Sequence, residues 1–351
     1  MTFLFPGQYN LAPPAENIPD DILTGGVHFM KTRSIVSLLL CLVLLAGAAA
    51  AVEVETVSVS ALTGTNGAPV ARNLSLKTYR GVSVGGSFQA VDPEGDPMSF
   101  RVSMEPGKGS VTVEGDRFVY TPDARKRGKD RFTYQAVDRE GNLSGEAEVT
   151  IRIEKQEGRV SYPELKGSGL QYAATRLAEA GVFTGQQVGS CYCFDGDAVL
   201  TRGDFLTMCA ALTGMEPLED VTRTGFSDDD SITLWQKPYV SAALLYGVVK
   251  GSTETGGRVV FRAGDTITRA EAAVMLNSFL DISDAAGAAG GENVPDWAAQ
   301  AVANLYSCEI CSGAEFQSDR PLTRGEAAEM FSGALDLLAA RGKGSRFSWS
   351  A

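Results

Sequence analysis

Two hydrophobic periods divide the chain. Between residues 72 and 155 apolar positions alternate with polar ones, as in Phe118 and Tyr120, then Phe132, Tyr134 and Ala136, then Ala147, Val149, Ile151 and Ile153. Alternation at period two is the pattern of strands with one buried face. Turn-forming clusters separate the runs: Asp92-Pro93-Glu94-Gly95-Asp96, Pro106-Gly107, Glu114-Gly115-Asp116, Gly128 and Glu140-Gly141-Asn142. About seven short strands punctuated in this way, with no cysteine among them, predict an all-β sandwich.

From residue 162 to 340 the period becomes helical and the chain repeats itself three times. Each unit has a helix (residues 172–181, 237–247 and 297–307), an apolar phrase ending in glycine (182–185, 248–251 and 310–313), a loop, a Thr-Arg phrase and a second helix. The second helices carry apolar stripes such as Phe205, Met208, Cys209 and Leu212, or Ala327, Phe331, Leu335 and Leu338. One helix pair cannot bury its apolar face alone, whereas three can share a core. The predicted architecture is therefore multidomain. A sandwich at 72–155 precedes an all-α domain of three motifs at 162–215, 224–282 and 294–340, and a tail follows at 341–351. The last two motifs are joined by an Ala/Gly-rich linker at 283–293, expected to be flexible.

The Thr-Arg phrases carry the chemistry. They read Leu200-Thr201-Arg202-Gly203-Asp204, Ile267-Thr268-Arg269-Ala270-Glu271 and Leu322-Thr323-Arg324-Gly325-Glu326. Thr followed three residues later by an acid is a capping box, closing two free donors at a helix start. Thr268 with Glu271 and Thr323 with Glu326 fit it, whereas Asp204 is one methylene short for Thr201. Capping does not explain the arginines. A cation in the first helical turn opposes the helix dipole by a few tenths of a kcal/mol, so three copies imply that it meets an anion. Arg202, Arg269 and Arg324 are the candidate anion-binding residues, because a guanidinium beside free N–H groups suits a carboxylate or phosphate.

The phrases AVDPEGDPMSFRV, GSVTVEGDRFVYTP and GKDRFTYQAVDREGN resemble the bacterial cadherin-like, immunoglobulin-like module of surface proteins. The repeats resemble the S-layer homology family. The second unit carries Phe226-Ser227-Asp228, Trp235, Gly247-Val248-Val249-Lys250-Gly251, Phe261 and the Ile267 to Glu271 phrase. The third keeps Trp297-Ala298, Ser312-Gly313 and Leu322 to Glu326, while the first has Tyr172-Ala173 for Trp-Ala and Asp204 for the final Glu. This resemblance implies a pseudo-threefold helical domain docking non-covalently onto bacterial secondary cell-wall polymer, often through pyruvylated sugars. It makes Arg202, Arg269 and Arg324 glycan-binding residues; a pyruvyl ketal is a carboxylate on a sugar and suits a planar guanidinium. Trp235 and Trp297 either stack on sugar rings or pack into the core. From Gly313 to Thr323 is ten residues, against sixteen from Gly185 to Thr201 and seventeen from Gly251 to Thr268. The third unit's site is therefore expected to be weakened, and Arg269, in the most complete unit, to contribute most.

Other features set the address and limit the chemistry. Met30-Lys31-Thr32-Arg33, an apolar run at 35–46 and Ala48 to Ala51 read as a secretory signal peptide at 30–51. The run is short for a spanning helix, so no stable membrane insertion is expected after cleavage. Residues 1–29 are loop-like, translation is expected to start at Met30, and 52–71 read as a linker. The one histidine is His28, so residues 30–351 hold no Ser-His-Asp triad or His-ligated zinc. A net charge of −12 opposes a nucleic-acid partner. Asp92, Glu94 and Asp96, with Asp138 and Glu140, either offer a weak calcium site or serve as turn residues; no other cofactor is expected. Cys209 falls on an apolar stripe and is expected as a core thiol, while Cys191, Cys193, Cys308 and Cys311 form disulfides, stay thiols or hold zinc. These features predict a non-catalytic bacterial cell-surface protein, wall-anchored by the repeats and displaying the sandwich. The alternative is an adhesin or ligand-binding protein whose sandwich carries the activity. A glycan hydrolase with paired carboxylates is a third class, and no segment remains to form its catalytic domain.

Overall fold

The structure, a computed structural model, describes residues 66–189, 191–283, 293–312 and 315–342. The leader, the signal peptide and most of the two expected linkers lie outside the described residues.

Nine strands form the first domain: β1 (Val70–Ala71), β2 (Leu74–Tyr79), β3 (Val84–Ser87), β4 (Ala90–Val91), β5 (Ser99–Met104), β6 (Gly109–Glu114), β7 (Arg117–Pro122), β8 (Gly128–Val137) and β9 (Ala147–Glu154). One sheet has the order β2-β9-β8-β5, the other β3-β7-β6, and β1 pairs with β4. Strand β2 runs parallel to β9, with Leu76 opposite Ile151. The alternating residues that predicted strands fill the space between the sheets: Phe118, Tyr120, Phe132, Tyr134, Val149 and Ile151 are all buried. Two buried hydroxyls are satisfied, as burial requires: Tyr120 donates to Asp130 Oδ2 at 2.7 Å, and Tyr134 lies 2.9 Å from the Gln89 carbonyl. The domain begins earlier than residue 72. Part of the expected linker is strand β1, paired Val70 to Val91.

The second domain has six helices among the described residues: α1 (Leu170–Glu179), α2 (Arg202–Thr213), α3 (Lys237–Leu245), α4 (Arg269–Leu280), α5 (Asp296–Ser307) and α6 (Arg324–Arg341). It is not purely helical, a correction to the expected all-α domain. The hairpins β10 (Gln186–Val188) with β11 (Cys191–Cys193) and β12 (Ser252–Thr253) with β13 (Val259–Val260) lie in the loops of the first two repeats. The helices pair between repeats: α1 packs on α6, α3 on α2 and α5 on α4. The first helix of each repeat thus lies against the second helix of the preceding one, cyclically. All contribute to one core, with Leu177, Phe205, Phe279, Leu305 and Phe331 buried in it.

The three Thr-Arg phrases meet at the centre. Leu200 N–H donates to the Leu322 carbonyl, Ile267 to Leu200 and Leu322 to Ile267, each at 3.0 Å. The ring closes on itself. It satisfies backbone groups that would otherwise be buried unpaired, since Leu200, Ile267 and Leu322 are all buried.

The sandwich packs directly on α1 and α6. Tyr172 N–H donates to the Ser83 carbonyl, Gly85 N–H to the Gly169 carbonyl, and the Tyr172 ring lies 5.4 Å from that of Tyr79. Arg176 of α1 is bidentate to Asp336 of α6, and Asp336 also meets Lys77 of β2.

Candidate functional site

Each signature arginine reaches out of its own repeat and into the next. Arg202 donates from Nε to the Phe261 carbonyl, pairs with Glu271 at 3.0 Å and stacks on the Phe261 ring. Arg269 donates from Nε to the Phe316 carbonyl, pairs with Glu326 at 2.8 Å and stacks on Phe316. Arg324, facing the first repeat, donates to the Phe194 carbonyl at 2.6 Å and stacks on Phe183. The backbone follows the same offset: the N–H groups of Arg202, Arg269 and Arg324 donate to Asp265, Arg320 and Ala198.

The anion that Arg202 and Arg269 meet is therefore the capping glutamate of the following repeat. Capping and arginine chemistry, separable in the sequence, form one assembly. Glu271 and Glu326 each close a capping box on their own threonine and hold the previous repeat's arginine. Burial opposes ionisation of Glu326, but the Thr323 N–H and the charges of Arg269 and Arg320 hold its carboxyl below the usual range.

The third junction differs. Thr201 accepts from the Asp204 N–H, but the Asp204 carboxylate accepts from Gln236 instead of returning to the cap. Arg324 pairs with Asp195 at 3.9 Å, and its Nε is buried without an acceptor. A side chain one methylene short leaves the ring of ion pairs open here.

The offset also reassigns the loops. The short loop of the third repeat lies in the groove of Arg269, not in that of Arg324. Arg202 has both a glutamate partner and a hairpin-bearing loop beside it. Arg324 has the hairpin without the glutamate, and Arg269 the glutamate with no hairpin among the described residues. The cavity beside Arg324, about 340 Å³, is lined by Gln186 and Cys193 of the hairpin. A cavity of about 290 Å³ beside the second repeat's hairpin is lined by Glu254, Arg258 and Arg262, and Arg202 does not line it.

Two structural features were missed in the sequence. Phe194, Phe261 and Phe316 are each followed by a residue with positive φ: Asp195, Arg262 and Gln317 at 53°, 60° and 54°. These bends turn the carbonyls towards the arginines. Asp228 of the Phe-Ser-Asp phrase fixes one bend by accepting from the N–H groups of Phe261 and Arg262. In the first repeat Glu164 does this, accepting from Phe194 N–H at 2.6 Å, with Tyr162 as the buried aromatic before it. Tyr162-Pro163-Glu164 was legible as a variant of that phrase. Equivalent hydrogen bonds, Val182 to Leu177, Val248 to Ala243 and Ile310 to Leu305, also set the register of the first helices. In that register Trp235 and Trp297 correspond to Gly169, not to Tyr172, one helical turn away.

Both tryptophans are more than half exposed, so neither is a core residue; nor does either line the cavities beside the arginines. The acidic loops of the sandwich are occupied in part by amide donors, while Asp92 Oδ2 is buried without a hydrogen-bond partner. Asp92 Oδ1 accepts from the N–H groups of Glu94 and Asp96, Asp138 accepts from Asn142 and Asn66, and Glu140 from Asn66. Among the described residues no group of three or more His, Cys, Asp or Glu side chains is placed to hold a metal. Cys209 and Cys311 are buried thiols; burial pushes Cys311 up to about 12.

Residues 66–155 match the bacterial cadherin-like domain and residues 225–273 the S-layer homology domain. The chain carries these two in tandem, and the second match covers the repeat whose motif phrases are most complete. No curated protein matches the chain. Similar solved structures include an endo-fucoidan hydrolase of glycoside hydrolase family 107, at 22% identity and TM-score 0.22 over 26% of this chain and 14% of that one. A mutant SrpA adhesin of Streptococcus sanguinis matches at 17% identity and TM-score 0.22 over 28% and 63% of the two chains. Human protocadherin-24 EC1-2 matches at 19% and TM-score 0.21 over 26% and 44%. The chain spans less than two thirds of each of these structures. Among the described residues no helix is long and apolar enough to cross a membrane.

Proposed function

We propose that this is a non-catalytic bacterial cell-envelope protein, exported by the signal at 30–51 and held non-covalently on secondary cell-wall polymer by three S-layer homology motifs. The motifs at 162–215, 224–282 and 294–340 form a pseudo-threefold unit whose inter-repeat grooves take acidic, pyruvylated sugar. The observation that carries this reading is the offset junction. Each arginine is held over an aromatic ring of the next repeat, and cavities of about 340 and 350 Å³ open beside Arg324 and Arg269. Such volumes lie at the lower end of ligand pockets, roughly 300–1,000 Å³. A guanidinium positioned by fixed contacts and keeping an unused edge is pre-organised for a carboxylate, which reduces the ordering cost of binding. The exposed Trp235 and Trp297 are available to stack on further sugars of the chain.

Co-sedimentation of the full protein with purified bacterial wall tests this. Pelleting is expected with native wall and is lost once the secondary polymer is chemically removed. Equal pelleting with both walls would refute polymer anchoring.

A further inference from the structure

Among the described residues the loop of the third repeat has no hairpin like those of the first two, and the sandwich stands on that side of the groove of Arg269. Its cavity, about 350 Å³, is lined by Arg269, Arg320, Glu326 and Glu329 of the repeats and by Ser87, Asp116 and Arg117 of the sandwich. The sandwich reaches this position because of one substitution between repeats. Where the second and third repeats carry Trp235 and Trp297, the first carries Gly169. A Cβ at Gly169 would lie 3.0 Å from the Gly85 Cα, closer than real Cβ atoms ordinarily approach. Glycine at both positions lets the two backbones touch and the Gly85 N–H reach the Gly169 carbonyl at 3.1 Å.

We propose that the β-sandwich serves as a wall of this groove, and that Arg117 joins Arg269 in binding the carboxylate of one acidic sugar. This rests on the reading of the grooves as glycan sites. The two arginines have different commitments. Arg269 is 15% exposed, with Nε on the Phe316 carbonyl and Nη1 on Glu326, so these two nitrogens are committed to the fold and Nη2 is the edge left for a ligand. Arg117 is 66% exposed and meets Glu329 at 3.4 Å, long for a charge-assisted bond of about 2.7–2.9 Å. Its fork is open to an incoming carboxylate, which takes the place of Glu329. Glu326 is fixed by Arg269 and Arg320, leaving Asp116 and Glu329 as acceptors for sugar hydroxyls. Arg117, Arg269 and Arg320 supply the positive charge for a carboxylate, while Asp116 and Glu329 offer acceptors that the hydroxyls of a sugar can use and a fully ionised phosphate or sulfate cannot. On this account the sandwich is part of the binding site, not a spacer beyond it.

The test is calorimetric titration of the full chain with a methyl hexoside carrying a cyclic pyruvyl ketal, using the same hexoside without the ketal as reference. The wild type is expected to bind the ketal and not the reference. Arg117→Glu should weaken ketal binding at one site by about tenfold or more, the ordinary size of one lost charge-assisted contact, with an unchanged circular dichroism spectrum showing that the fold is retained. Arg101→Glu makes the same charge change on the sandwich away from the cavity, where Arg101 donates to Gln135, and should bind as wild type. If Arg117→Glu also binds as wild type, the shared site is overturned while wall anchoring stands. If the wild type does not bind the ketal, both fall.

Discussion

Arg269 Nη1 lies 2.8 Å from Glu326 Oε1, a contact between the first turn of one repeat's second helix and the first turn of the next. Both side chains are largely buried, at 15% and 21% exposure. The glutamate also closes its own capping box, so one carboxylate links two helix starts. Helix capping and repeat-to-repeat assembly therefore share atoms. That sharing governs what substitutions will do.

Arg269→Ala removes the partner of Glu326, the bond to the Phe316 carbonyl and the stacking on that ring. Loss of such a half-screened pair and its hydrogen bonds should destabilise the helical domain by about 1–3 kcal/mol. Urea unfolding followed by circular dichroism reads this directly.

Asp204→Glu should stabilise the protein. The longer side chain can return to the Thr201 N–H and come within reach of Arg324, whose Nε has no acceptor. The expected gain is about 0.5–1 kcal/mol, the size of a closed cap with a partly exposed ion pair. A double-mutant cycle with Arg324→Gln should show that much of the gain depends on the arginine. An equal gain in both backgrounds would confine the effect to the cap.

Gly169→Trp places in the first repeat the residue of the other two. The helical domain should remain folded, since the other repeats carry tryptophan here, but the Gly85 contact cannot survive. Small-angle scattering should show an increased radius of gyration, and the segment at 155–169 should become protease-sensitive. Unchanged scattering would mean that the Gly85–Gly169 contact does not hold the domains together.

Acid should weaken the second repeat through Asp229. The Lys237 ammonium, the Thr224 N–H and the Thr224 hydroxyl bring its carboxyl down to about 2, below the ordinary unfolded value of about 3.9. A carboxyl whose folded value is depressed contributes stability above the unfolded value and loses it as pH falls through the folded one. Melting temperature should drop between about pH 4 and pH 2. Asp229→Asn should be less stable at neutral pH and flatter across that window.

Strands, helices and caps were legible in the sequence because their determinants are local. Phe132, Tyr134 and Ala136 alternate within one strand, and Thr268 and Glu271 cap within one turn. The rule that a cation does not belong at a helix start correctly demanded an anion for Arg269. It could not say that the anion was Glu326, because that pairing depends on cyclic packing of helices far apart in the chain. The same offset moved the short third loop from Arg324 to Arg269. The role of Gly169 was hidden for another reason. Alignment on aromatic residues drew Tyr172 into the tryptophan position, one helical turn off, and only hydrogen-bond register separates the two. Tyr172 is instead buried against the sandwich.

The most direct test is a crystal structure of the full chain with a soluble fragment of the wall polymer. The predicted result is an acidic sugar between the second and third repeats, its carboxylate on Arg269 and Arg117 and its ring against the sandwich wall. A fragment bound on the outer loops of the sandwich, with all three inter-repeat grooves empty, would contradict the account.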